Sequence, residues 1–228
     1  MLVLSMTTMQ AQESESPVGK FSVIPRIGVT ISNWSNNRLA LLAEDGAEMK
    51  SKYQAGFMGG LDVEYRLTEQ VGVSLGAYYA KQGFRFPSFQ TEAKQNGKTV
   101  LSGYNNQHVD LNYLQVPLVL RAYVTRSLSL VLGAQVGFLC GDGKYKGDTS
   151  DMEIDTDGNA NVIEKESIDQ KWPTKKTDVS IPIGVSYEYM GVILDARYNL
   201  GLTKANKDDT ANSKNRAFTF SVGYRFTL

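Results

Sequence analysis

A chain of 228 residues with 24 basic and 24 acidic side chains carries no formal net charge, which argues against nucleic-acid binding, since that needs a basic face. One cysteine (Cys140) and one histidine (His108) exclude an intrachain disulfide and a multi-ligand zinc site. The 21 glycines and 12 tyrosines suit twisted strands and tight turns better than helices, and the length suits one substantial core.

Residues 1–20 are expected to be a signal segment followed by a polar tail, and residues 21–228 one β-barrel domain. The apolar start of "MLVLSMTTMQAQESES" ends at a small-residue site after Ala11. It lacks a basic n-region, so it reads as the back half of a secretory signal that starts upstream. No apolar run reaches the roughly 18–20 residues of a spanning helix.

From Phe21 onward the hydrophobic period is two. Phe21–Trp34 sets Val23, Ile27, Val29 and Ile31 against Ser22, Arg26, Gly28 and Thr30. Tyr53–Leu67 sets Phe57, Leu61, Val63 and Tyr65 against Met58, Asp62, Glu64 and Arg66. The same alternation runs through Val71–Phe86, Asp110–Tyr123, Ser127–Cys140, Thr177–Tyr189, Val192–Leu202 and Arg216–Phe226. Eight strands are therefore expected. Several exceed the common length of about 5–6 residues and suit a membrane crossing of about 9–11. Pro25 lies near a strand start, while Pro117 and Pro182 are expected at bulges or weak points.

The connections alternate. Those at 68–70, 125–126 and 190–191 are tight; those at 35–52, 87–107, 142–176 and 203–215 are long and polar. This is the plan of a transmembrane barrel with short periplasmic turns and long extracellular loops. Periodicity alone does not say which face points inward, and a soluble ligand-binding barrel is the alternative. Three features favour the membrane. One face mixes small residues with both charge signs, namely Arg26, Asp62, Glu64, Arg66, Arg121, Glu188, Asp195, Arg197 and Arg225, which would fill a narrow lumen. The other face is almost free of charge, as lipid requires. Aromatics gather near the strand ends and are expected as two interfacial girdles: Tyr65, Tyr123, Tyr187, Tyr189, Tyr224 and Phe226 at the short turns, and Trp34, Tyr53, Phe84 and Phe138 at the long loops. The fold expected is all-β, an eight-stranded antiparallel up-and-down transmembrane β-barrel.

"LNYLQVPLVLR" (111–121), "GAQVGFLC" (133–140), "LDARYNLGLTK" (194–204) and "FTFSVGYRF" (218–226) resemble the PorT-like outer-membrane barrel family of Bacteroidetes. The resemblance covers all eight expected strands. It implies an eight-strand outer-membrane barrel with both termini in the periplasm. The family's founding member is tied to protein secretion, but most relatives have no assigned activity, so that role is not carried over. The chain departs from the aromatic terminal residue common in such barrels, because Thr227 and Leu228 follow Phe226.

Chemistry-bearing motifs are few. His108 and Asp110 share a strand face, and a lipid hydrolase would need Ser102 or another serine beside them; a rim histidine is the plainer reading. Cys140 ends a strand on the lipid-facing register or the rim. The loop "EIDTDGNANVIE" places Glu153, Asp155, Asp157, Asn159, Asn161 and Glu164 at calcium-loop spacing, with Gly158 sixth. It has Glu where Asp is expected first and no flanking amphipathic helices, so it reads as an acidic surface loop that at most holds calcium as a static brace. The function expected is structural or interactive, without enzyme activity or cofactor, with outer-membrane lipid as surroundings and an envelope or extracellular protein as a possible partner. A narrow pore for ions or small solutes is the competing class.

Overall fold

The structure, a computed structural model, describes residues 17–40, 48–95, 98–154, 160–207 and 212–228. Nearly all of the expected signal segment lies outside them. In chain order the strands are β1 (Phe21–Trp34), β2 (Arg38–Ala40), β3 (Glu48–Lys50), β4 (Lys52–Arg66), β5 (Val71–Arg85), β6 (Phe89–Gln95), β7 (Lys98–Tyr123), β8 (Leu128–Leu139), β9 (Gly143–Ile154), β10 (Ala160–Trp172), β11 (Thr177–Tyr189), β12 (Val192–Lys204), β13 (Lys214–Tyr224) and β14 (Phe226–Thr227). No helix occurs among the described residues.

Twelve strands form one antiparallel sheet, and β2–β3 form a separate hairpin. The expectation of eight undercounts them. Within the sheet β1, β4, β5, β7, β8, β11, β12 and β13 pair in sequence, and β13 returns to β1, so the ladder closes on itself. The other four strands are additions. β14 extends the β1 edge, while β6, β9 and β10 flank the first half of β7 beyond the closed ring. β6, β9 and β10 lie in stretches expected as loops. β7 runs for 26 residues where only its second half shows alternation. The reason is solvent on both faces: β10, with sequence ANVIEKESIDQKW, is exposed along almost its whole length, so no apolar period marks it.

The short turns are set locally. In 68–70 the Thr68 hydroxyl accepts from the amides of Gln70 and Val71, and in 125–126 the Thr125 hydroxyl accepts from those of Ser127 and Leu128. Met190 (φ +49°) and Gly191 (φ +81°) join β11 to β12 with both residues left-handed, as a two-residue hairpin turn of the right twist demands.

Pro117 and Pro182 sit at weak points of the ladder rather than at bulges. Pro117 pairs Gln135 in an unbroken β7–β8 ladder, while on the β5 side pairing skips from Leu118 to Gln115 with no change of register. Pro182 likewise keeps its β12 ladder and interrupts only β8. Pro25 keeps β4 and interrupts the β13–β14 side. A missing N–H removes a bond on one side of a strand only, so each proline opens a one-sided gap. The irregularity between β4 and β5 falls instead near Gly83, at φ +147°, where a Cβ would collide with the Val109 carbonyl.

Candidate functional site

Alternation along the closed strands puts two different chemistries on the two faces of the sheet. Outward, Ile27 is 74 % exposed, and Val29, Phe57, Leu75, Leu118, Leu130, Leu132, Leu194 and Phe220 form an apolar belt. Inward, the buried side chains are largely polar or charged.

All nine sequence-predicted lumen residues lie on that inner side and are brought together. Arg26 Nε is 2.7 Å from Asp62 Oδ2. Arg121 lies 3.5 Å from Asp62, 3.0 Å from Glu64 and 3.6 Å from Asp195. Arg197 Nε is 2.6 Å from Asp195 Oδ1 and Nη2 is 3.8 Å from Asp62. Toward the short-turn end Arg225 forks onto both oxygens of Glu188 at 2.9 and 3.0 Å and reaches Glu64 at 3.0 Å. Arg66 lies 3.9 Å from Glu64 and stacks its guanidinium 3.3 Å from the Tyr123 ring centroid. Charges removed from water need partners this close; here Asp62, Glu64 and Asp195 are each shared among several arginines, while Glu188 pairs with Arg225 alone. Five arginines face four carboxylates, a formal excess of one positive charge.

Neutral residues complete the network, and these were not singled out in the sequence. Tyr78 donates to Asp62, Tyr123 donates to Glu64 at 2.6 Å, and Ser186 donates to Asp195 at 2.8 Å while accepting from Arg121 at 3.0 Å. Above them, Asn215 donates to Gln82 at 2.6 Å and Asn199 to Thr219 at 3.1 Å. The signal was strand parity: Tyr123 is two residues from the inward Arg121, and Tyr78 lies on the same face as Ser74.

The same parity corrects the girdles. Tyr123, Trp34 and Phe84 point inward and are 8 %, 1 % and 0 % exposed. Trp34 and Phe84 pack 4.9 Å apart in a buried cluster with Phe86, Val109, Leu111, Tyr113 and Leu139, joined by Trp172 and Tyr145. This apolar plug closes the long-loop end of the lumen. Tyr53, Phe138, Tyr187, Tyr189, Tyr224 and Phe226 are exposed as expected, and Tyr65 is half-buried.

At the long-loop rim, Asp110 accepts from Gln54 at 2.8 Å and pairs with Lys81 at 3.0 Å and Lys146 at 3.6 Å. His108 Nε2 is 3.9 Å from Asp110, and its Nδ1 lies 2.6 Å from the Asn106 carbonyl. Ser102 sits six residues away on the same strand, about 20 Å at strand rise, so it does not join them. Cys140 is exposed just beyond β8.

Of the calcium-spaced residues, Asp155, Asp157 and Asn159 lie outside the described residues. Glu153 stands on β9 opposite Asn161 on β10 and pairs with Lys98 at 2.6 Å. The Glu164 carboxyl is raised by its hydrogen bond and repulsion with Glu166. Strands, not helices, flank the loop, and no group of three or more potential metal ligands forms among the described residues.

A closed sheet that is apolar outside and charged inside has the inverted polarity of a membrane-spanning β-barrel. The chain belongs to the outer membrane protein beta-barrel domain family, whose model matches residues 10–206. It is an outer-membrane β-barrel protein. No curated protein matches it significantly. Solved structures similar to it include Ail, the attachment invasion locus protein of Yersinia pestis, at 17 % identity, covering 92 % of this chain and 99 % of that one with a TM-score of 0.42. Neisserial surface protein A is 15 % identical, covering 90 % and 97 %, with a TM-score of 0.42. OprG from Pseudomonas aeruginosa is 16 % identical, covering 93 % and 99 %, with a TM-score of 0.39. At these scores the likenesses carry no weight; membership rests on the family match.

Proposed function

We propose that this protein is a plugged outer-membrane barrel that presents a projecting sheet to partners at the cell surface, rather than a pore. The observation that carries this reading is the filled lumen. The Arg26–Asp62–Arg121–Asp195–Arg197 network lies across its middle, and the Trp34–Phe84 cluster lies across its long-loop end. Steady conductance after reconstitution in a planar bilayer would overturn it; a silent bilayer is expected.

The ring β1–β4–β5–β7–β8–β11–β12–β13 is the membrane-spanning part in this reading, giving the eight crossings of a PorT-like barrel, with the short turns and both termini in the periplasm. Support comes from the apolar belt on this ring and its absence from β10. The projecting sheet, ordered β6–β7–β9–β10, then stands outside the cell. Its β10 edge carries Glu164, Lys165, Glu166, Asp169 and Lys171, charges that discourage promiscuous strand pairing and leave recognition to side chains. Protease treatment of intact cells tests the topology: cleavage is expected within 35–52, 87–107, 142–176 and 203–215, and protection of all four would invert it.

A further inference from the structure

A polar cleft of about 280 Å³ opens where the end of β1, the β2–β3 hairpin, the start of β4 and β13 meet. Its lining includes Asn37, Arg38, Lys50, Tyr53 and Arg216, and no acidic residue among the described residues. Arg38 and Lys50 stand directly opposite each other across the β2–β3 hairpin. Arg216 is exposed on the outward register of β13, opposite Asn33 of β1. Neither Lys50 nor Arg216 has an acidic partner within ion-pair distance among the described residues. Asn37 is 8 % exposed, and its side-chain amide nitrogen has no hydrogen-bond partner among them.

The position decides what the cleft can meet. Tyr53 on its lower wall is 42 % exposed and packs 6.2 Å from Phe218, itself 40 % exposed, with Ile31 beside them on the same outward face. These are the uppermost members of the apolar belt at the long-loop end. Arg216 and Lys50 therefore stand just above the hydrocarbon boundary, at headgroup depth. We propose that this cleft binds the phosphate of a membrane lipid headgroup, with Arg216 and Lys50 as the ion-pairing residues and Asn37 as a neutral donor. Phosphate offers several acceptor oxygens to such a set, and bonds between charged partners are the strong ones. The inference rests on the reading of the outward face as membrane-embedded.

The full chain is refolded and reconstituted in phosphatidylcholine vesicles with and without a minority of phosphatidic acid, whose headgroup is a phosphate monoester. Native mass spectrometry after re-extraction measures which lipid is retained. Wild type is expected to prefer phosphatidic acid. Lys50→Gln combined with Arg216→Gln is expected to lose that preference about tenfold or more. The exchange Lys50→Arg with Arg216→Lys is expected to keep it, as is the control Lys165→Gln on the projecting hairpin. An unchanged preference in the double glutamine variant overturns the proposal. Retention abolished by inorganic phosphate at lipid-equivalent concentration overturns it in favour of a free-ion site. Heat-modifiable gel migration reports barrel insertion separately: its absence in wild type would sink the membrane reading, whereas its presence without lipid preference sinks only the cleft.

Discussion

Arg26 and Asp62 meet at 2.7 Å with neither side chain reached by solvent, diagonally across the β1–β4 ladder in which Asp62 stands opposite Ile24 and Arg26 opposite Gly60. Asp62 also receives Tyr78 and lies within 3.8 Å of both Arg121 and Arg197. It is the acidic hub of the lumen.

Asp62→Ala should therefore leave three guanidiniums short of a counter-charge. Removing one member of a buried ion cluster costs about 3–5 kcal/mol. Urea unfolding in lipid vesicles, followed by gel migration, is expected to show that loss. Arg66→Ala, at the partly open short-turn end, should cost less.

On the outward face, depth in the bilayer should set the cost of a charge. Leu118 is 54 % exposed on the belt, whereas Val124 stands just past the strand end. Leu118→Arg is expected to cost about 2–4 kcal/mol and Val124→Arg about 0–1, following bilayer depth. Equal costs in vesicle-based unfolding would place the belt outside the bilayer.

Gly191→Ala puts a Cβ on a left-handed residue, a cost of about 1–2 kcal/mol. It also presses against Tyr224, whose ring lies 3.1 Å from that Cβ. The same substitution at Gly103 has neither penalty and should be close to neutral by the same unfolding assay.

At the root of the projecting hairpin, hydrogen bonds from Lys176 and Lys171 pull the Asp142 carboxyl from its ordinary 3.8 down to about 2. A depressed carboxylate contributes its stability above the ordinary value and loses it as pH falls through the folded one. In a Trp34→Phe background, Trp172 fluorescence should hold steady down to about pH 4 and change as pH drops toward 2. Asp142→Asn should show the altered signal already at neutral pH.

Much of this molecule was legible from alternation. Parity along each run separated Ile27, Phe57 and Leu118 from Arg26, Asp62 and Arg121, because a strand sends successive side chains to opposite faces. It placed all nine lumen charges on one side, and the short turns fell where the runs break. Parity also held the correction to the girdles: Trp34 and Phe84 lie on the same side as Ser32 and Gln82. Aromatic character near a strand end suggested the interface, but the register sends these two rings inward, where they plug the lumen.

Other features depended on partners far away in the chain. β6, β9 and β10 have no continuous apolar face, so only pairing makes them strands: β6 and β9 with β7, and β10 with β9. The prolines keep one ladder and lose the other, a choice made by which neighbour faces the missing N–H. Arg225 meets Glu64 across 161 residues of sequence. The alternation of the chain set the polarity of the wall. Closure of the ring decided which charges share a partner, since only a closed ladder fixes the height of each strand against every other.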